Sequence, residues 1–97
     1  MELNVTDKAA QWYENELEIE DTSLRFYVRY GGSGLQPGFS LAIKIEKPEN
    51  PVAIKRAGSI DYFIEEEDSW YFDSHSLTVD FDETWQEPNF NYEKNDG

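Results

Sequence analysis

Residues 27–45 read YVRYGGSGLQPGFSLAIKI. Two runs of alternating residues flank the stretch Gly31, Gly32, Ser33, Gly34, Leu35, Gln36, Pro37 and Gly38, which holds four glycines and a proline. In the first run Leu24, Phe26 and Val28 share one face of a strand and Arg25, Tyr27 and Arg29 the other; in the second, Phe39, Leu41, Ile43 and Ile45 share a face. A hairpin closes with as few as two residues of the Asn-Gly kind, so this much glycine needs a reason. Backbone N–H groups in such a loop can form an anion nest. The loop lacks the lysine and the following helix of a P-loop, and it has no dinucleotide-binding spacing. Glycine also supplies positive φ in a tight connection, and that structural use is the reading favoured here.

Working outward, Glu2 to Val5 alternates as a short strand. Thr6 is placed to cap a helix, with Asp7 in the first turn where the helix dipole favours an anion. Ala9, Ala10, Tyr13 and Leu17 recur at helical spacing to about Glu18, Trp12 widens the stripe, and Val5 with Ala10 forms a small hydrophobic staple. Beyond the hairpin, Glu46 to Pro51 is a turn with two prolines, and Val52 to Ile54 is at most a short strand. Ile60 to Ile64 reads as a strand and Glu65 to Asp68 as a solvated turn of four like charges. Trp70 to Asp73 and Leu77 to Phe81 read as strands around Ser74, His75 and Ser76. Glu83 to Tyr92 reads mostly as loop with at most a short edge strand, and Glu93 to Gly97 as a frayed tail. The expected class is α+β: one helix, then six or seven short strands in a mostly antiparallel sheet or two small sheets.

Ninety-seven residues suffice for one domain, 1–97, and not for two. Aromatic residues make up 15% of the chain, so a few large rings can supply much of the buried area. Cysteine is absent, which excludes disulfides, thiolate metal sites and cysteine-ligated iron–sulfur clusters. Met1 leads directly into polar sequence with no basic and apolar leader, and no apolar run approaches the ~20 residues of a membrane span. A cytoplasmic setting is expected. The net charge of −13 opposes binding to nucleic acid and to anionic membranes. It is compatible with a basic protein partner or a divalent cation, and it favours solubility.

The chemistry-bearing residues are few. His75, the only histidine, follows Asp73 by two residues, so the two share a face if the segment is strand. With Asp80 they are the weak metal-ligand candidates. A catalytic zinc site needs three protein ligands, and there is no second histidine. Adjacent Asp73, Ser74 and His75 cannot reach triad geometry, and a surface turn is the plainer role for His75. Asp80 and Asp82, with Asp61 and Glu65 to Asp68, form an acidic patch without EF-hand spacing. Arg25 and Arg29 are expected on an outer strand face, in exposed ion pairs worth about 0–1 kcal/mol each. No catalytic residue and no cofactor-binding residue is expected.

The quoted stretch, with its flanks, resembles the HesB/IscA-like family of iron–sulfur cluster biosynthesis, the A-type carriers. LRFYVRYGGSGLQPGFSLAI is similar to that family's Leu-Arg strand, Gly-Gly-Cys-Ser-Gly loop and second strand. LNVTDKAAQWYENEL looks like its opening strand and Thr-Asp-x-Ala-Ala helix, and YFDSHSLTVDFDE like its strand, turn and Val-Asp-Phe strand. EPNFNY matches its late Asn-Pro region loosely. The resemblance runs in order over residues 2 to 92. It implies a small mixed or antiparallel β-sandwich or barrel with the N-terminal helix packed on it.

The family's carriers use three cysteines, one in the glycine-rich loop and two in a C-terminal Cys-Gly-Cys. Here Gly32 runs directly into Ser33, and Glu93 to Gly97 hold no cysteine. Gly31, Gly32, Ser33 and Gly34 are therefore equivalent to the ligand loop without its ligand, and a serine hydroxyl does not replace a thiolate. The chain looks closest to the short, cysteine-free YneR-type branch of Gram-positive bacteria. The resemblance implies a non-enzymatic protein associated with iron–sulfur cluster assembly, without a cofactor, acting through protein contacts or weak metal binding. The alternative is an acidic interaction module unrelated to iron–sulfur metabolism.

Overall fold

In the computed structural model, which describes residues 1–95, the order is β1 (Leu3–Val5), α1 (Asp7–Leu17), β2 (Thr22–Ser33), β3 (Pro37–Ile45), β4 (Pro51–Ala57) and β5 (Ile60–Glu65), followed by a 3-10 turn (Glu66–Asp68), α2 (Ser69–Phe72), β6 (His75–Asp82) and β7 (Glu87–Lys94). The strands form two sheets in the orders β1-β6-β7 and β3-β2-β5-β4. The class is the expected α+β, in the sandwich form; among the described residues the sheets do not close into a barrel.

Helix α1 begins as its sequence dictates. The Thr6 hydroxyl accepts the Ala9 N–H at 3.3 Å, and Asp7 sits in the first turn. Ala9, Ala10 and Tyr13 form the buried stripe. The helix stops where Glu18 turns left-handed (φ 52°) and its N–H returns to the Glu14 carbonyl.

The core draws on both sheets and α1. Phe26 and Tyr62 stack at 5.8 Å, Tyr13 meets both rings, and Phe90 of β7 meets Phe26 edge-on at 5.8 Å. The alternation in β6 places Leu77 and Val79 in this core.

Four readings are corrected. Trp70 to Phe72 lie in α2, not a strand: the residues before them are bound to Arg25, and that anchor overrides the β preference of an aromatic run. Glu83 to Tyr92 is not mostly loop. β7 pairs with β6 along its full length, from His75–Lys94 to Asp82–Glu87, because Phe90 and Tyr92 have a hydrophobic face to cover. Of the tail, Glu93 and Lys94 belong to β7, and Asn95 donates its N–H to the Ser74 carbonyl at 2.8 Å; Asp96 and Gly97 lie outside the described residues. β4 is also longer than the Val52 to Ile54 reading, and two pairings, β1 with β6 and β2 with β5, are parallel.

Candidate functional site at the glycine-rich hairpin

The hairpin is regular up to the pair Tyr30–Phe39, then shifts register and closes at Ser33–Pro37. Gly31 and Gly32 make the shift with φ of 110° and 75°, a region that side-chain-bearing residues rarely adopt. Gly34 serves differently. A Cβ there would overlap the Tyr71 hydroxyl and crowd the Phe39 carbonyl oxygen at 2.9 Å. The glycines let the loop bulge and then lie directly on α2.

That contact is polar and specific. The Tyr71 hydroxyl accepts the Leu35 N–H at 2.7 Å and shares a hydrogen bond with the Tyr92 hydroxyl at 3.1 Å. Gln36 Nε2 donates to the Tyr71 carbonyl at 3.2 Å. Tyr71 is fully buried. Burial, with the Tyr71 hydrogen bond second, pushes the Tyr92 phenol above the ordinary tyrosine range.

Helix α2 is held in turn by Arg25. Its Nη1 bonds Glu46 at 2.8 Å, and its Nη2 bonds Glu67 at 2.5 Å and Asp68 at 2.9 Å. Arg25 and Asp68 are both buried, so the expectation of an exposed arginine in weak surface pairs is corrected for Arg25. The turn before α2 is not a fully solvated acidic run either. Glu65 is buried, and its carboxylate accepts the backbone N–H groups of Glu49 and Asn50 at 3.1–3.4 Å. The three carboxylates compensate the burial of Arg25, the one buried cation of β2.

An aromatic ladder runs over this end. Tyr30 meets Phe39 edge-on at 5.7 Å, Phe39 meets Trp70 at 5.1 Å, and Trp70 meets Tyr71 at 6.1 Å. Tyr71 and Phe39 anchor the ladder in the core, whereas Tyr30 is 87% exposed and Trp70 52% exposed. Sequence reading missed this pairing. Its signal was the Tyr30–Phe39 register across the hairpin, but Trp70 joins only because α2 is helical.

The metal candidates are not gathered. Carbonyl oxygens only accept, so His75 Nδ1 carries the proton it shares with the Phe72 carbonyl at 2.8 Å and the Asp73 carbonyl at 2.9 Å. The ring thus closes the left-handed turn at Asp73 and Ser74. Asp80 lies five residues along β6, about 17 Å away at ~3.3 Å per residue. It has the opposite parity to His75, is exposed, and accepts the Phe81 N–H at 2.8 Å. Among the described residues no group of three or more His, Asp or Glu side chains is placed to hold a metal ion. Nor is any described helix long and apolar enough to cross a membrane.

Comparison with known proteins covers almost the whole chain. The family described as iron-sulphur cluster biosynthesis matches residues 1–95. A Bacillus subtilis (strain 168) protein named pyruvate dehydrogenase inhibitor is 42% identical over 95 residues, covering 96% of this chain and all of that protein. An uncharacterised protein of Staphylococcus saprophyticus is 40% identical over 86 residues, covering 82% of this chain and 87% of its own. One from Staphylococcus aureus (strain MRSA252) is 38% identical over 85 residues, covering 81% and 86%.

Proposed function

The chain belongs to the iron-sulphur cluster biosynthesis family, and from that premise we propose that it is a non-catalytic member that works through protein contacts rather than by carrying a cluster. The observation that carries this reading is the locked hairpin. The loop equivalent to the family's ligand loop offers Gly31, Gly32, Ser33 and Gly34, no thiolate, and a backbone fastened to Tyr71. A carrier loop must present a soft ligand and release it. This loop instead stands beside two exposed rings, Tyr30 of β2 and Trp70 of α2, on a fixed support.

The relative named as a pyruvate dehydrogenase inhibitor supplies the partner to try first. Inhibition of that enzyme by docking needs no metal, no cofactor and no nucleophile on this chain. Weak divalent binding by Asp73, His75 or Asp80 is the lesser route, since Asp80 lies five residues along β6 from His75 and the His75 Nδ1 is taken up by the Phe72 and Asp73 carbonyls.

Affinity capture with the purified chain from a Bacillus subtilis extract, at low and high salt in chelator-containing buffer, tests the reading. Retention of pyruvate dehydrogenase at both salts is the expected result. Recovery of basic proteins alone, all lost at high salt, would support the acidic-module alternative. Recovery of nothing unless iron is supplied would replace protein contact with metal-dependent action.

A further inference from the structure

We propose that the Tyr30–Phe39–Trp70 ladder is the docking surface, and that its occupant is a basic segment of the partner carrying a large apolar side chain. The proposal rests on the protein-contact reading above and gives it a place and a chemistry.

Three observations lead there. The first is that the rings are pre-organised. Tyr30 is fixed opposite Phe39 across the hairpin, Phe39 is packed against the core, and the loop is tied to Tyr71 at two points. Ordering such a surface on binding costs little entropy, and exposed Tyr and Trp are the side chains that dominate interface energies. The second is that the fold leaves these rings in water: Tyr30 is 87% exposed and meets only Phe39 of the ladder among the aromatic rings, and Trp70 keeps 52% of its surface exposed although it packs on Phe39 and Tyr71.

The third observation is charge, which selects the occupant. The chain carries −13, so a second copy would bring the same charge onto this face. The turn before α2 supplies exposed Glu66, and beside it Glu67, which is exposed but already pairs with Arg25. Glu66 lies in the 3-10 turn that leads directly into α2 and accepts the Ser69 hydroxyl at 3.4 Å, so its carboxylate borders the short helix that carries Trp70. A lysine- or arginine-bearing segment meets carboxylates there and an apolar ring beside them. An apolar but acidic or neutral segment meets repulsion or no steering at all.

The test uses two labelled synthetic peptides of equal charge as probes, one alternating lysine with leucine and phenylalanine, the other alternating lysine with serine. Fluorescence anisotropy reads binding to the wild-type chain, to the double variant Tyr30→Ser, Trp70→Ser, and to Trp85→Ser. Trp85 is 74% exposed and follows β6 at the end remote from α2, so it controls for loss of any exposed ring. The lysine–apolar peptide should bind wild type and Trp85→Ser alike and lose about tenfold or more in affinity for the double variant. It should also bind wild type more tightly than the lysine–serine peptide.

Equal binding of both peptides, equal binding to all variants, or no binding would overturn the proposal. So would self-association of the wild type in sedimentation that the double variant abolishes, because the occupant would then be a second copy. Circular dichroism establishes that the double variant folds, as the exposure of both rings leads one to expect. A parallel assay of Bacillus subtilis pyruvate dehydrogenase separates the two ideas. Peptide binding at the ladder without effect on the enzyme leaves the surface standing and removes that partner. Enzyme inhibition unaltered in the double variant keeps the partner and removes the surface.

Discussion

Two buried tyrosines make opposite statements about their hydroxyls. The Tyr71 oxygen is the acceptor for the Leu35 N–H and the partner of Tyr92, so Tyr71→Phe strands both groups. An unsatisfied buried group costs about 1–3 kcal/mol, and thermal melts should show a loss in that range. The Tyr62 hydroxyl is buried with no hydrogen-bond partner among the described residues. Tyr62→Phe should therefore be neutral or slightly stabilising. Equal destabilisation by the two substitutions would contradict the assigned roles. Gly34 marks the limit of what sequence discloses at this scale. That the loop needed glycine was plain from its composition. That Gly34 is required by a tyrosine 37 positions later was not, because close approach is a property of the folded surface rather than of the loop.

At the scale of elements, the critical connection is Arg25 to the turn before α2. Removing one partner of a buried ion pair costs about 3–5 kcal/mol, since the carboxylate left behind has no compensation. Arg25→Ala should lower stability by that order in denaturant titration. Arg29→Ala, an exposed site on the same strand, should change it by under about 0.5 kcal/mol. The latch also has a pH signature. The hydrogen bond from Arg25, with Lys44 adding attraction, holds the Glu46 carboxyl below its usual range. A depressed carboxyl stabilises the fold above its unfolded value near ~4.3 and loses that contribution as pH falls through the lower folded value. Glu46→Gln should therefore lose less Tm between about pH 5 and about pH 3 than the wild type; parallel acid titrations would show that Glu46 contributes nothing to the slope. Helix α1 and strands β2, β3 and β5 were legible because cap, period and alternation agreed. Helix α2 was not, because four residues are too few to show a period and an aromatic run reads as strand. Arg25 was placed on the correct strand and opposite Leu24 and Phe26, but its face was read as an outer, exposed one, because one strand gives no information about what covers it.

For the whole molecule, the α+β class was legible but the pairing was not. The parallel contacts of β1 with β6 and β2 with β5 join segments far apart in sequence, and nothing local encodes them. Burial of the rings they enclose gives a global test. Tyr13, Tyr62 and Tyr92, three of the six tyrosines, have phenols pushed above the usual range chiefly by burial. The native fold favours their neutral form, so stability should decline as pH rises past the unfolded value of ~10. In an alkaline titration, part of the tyrosinate signal should appear only together with the loss of circular dichroism. Smooth ionisation of all six rings in the folded state would show that the core is open. The family resemblance was legible across the chain, and so was the missing thiolate. The ladder that stands beside the glycine loop emerged only from tertiary structure.

The most direct measurement is the activity of purified Bacillus subtilis pyruvate dehydrogenase titrated with this chain in chelator-containing buffer. Saturating inhibition by the metal-free protein is the result that action through protein contacts on this first partner predicts. No inhibition at any concentration would remove that enzyme as the partner, and inhibition that appears only when iron is restored would contradict action through protein contacts.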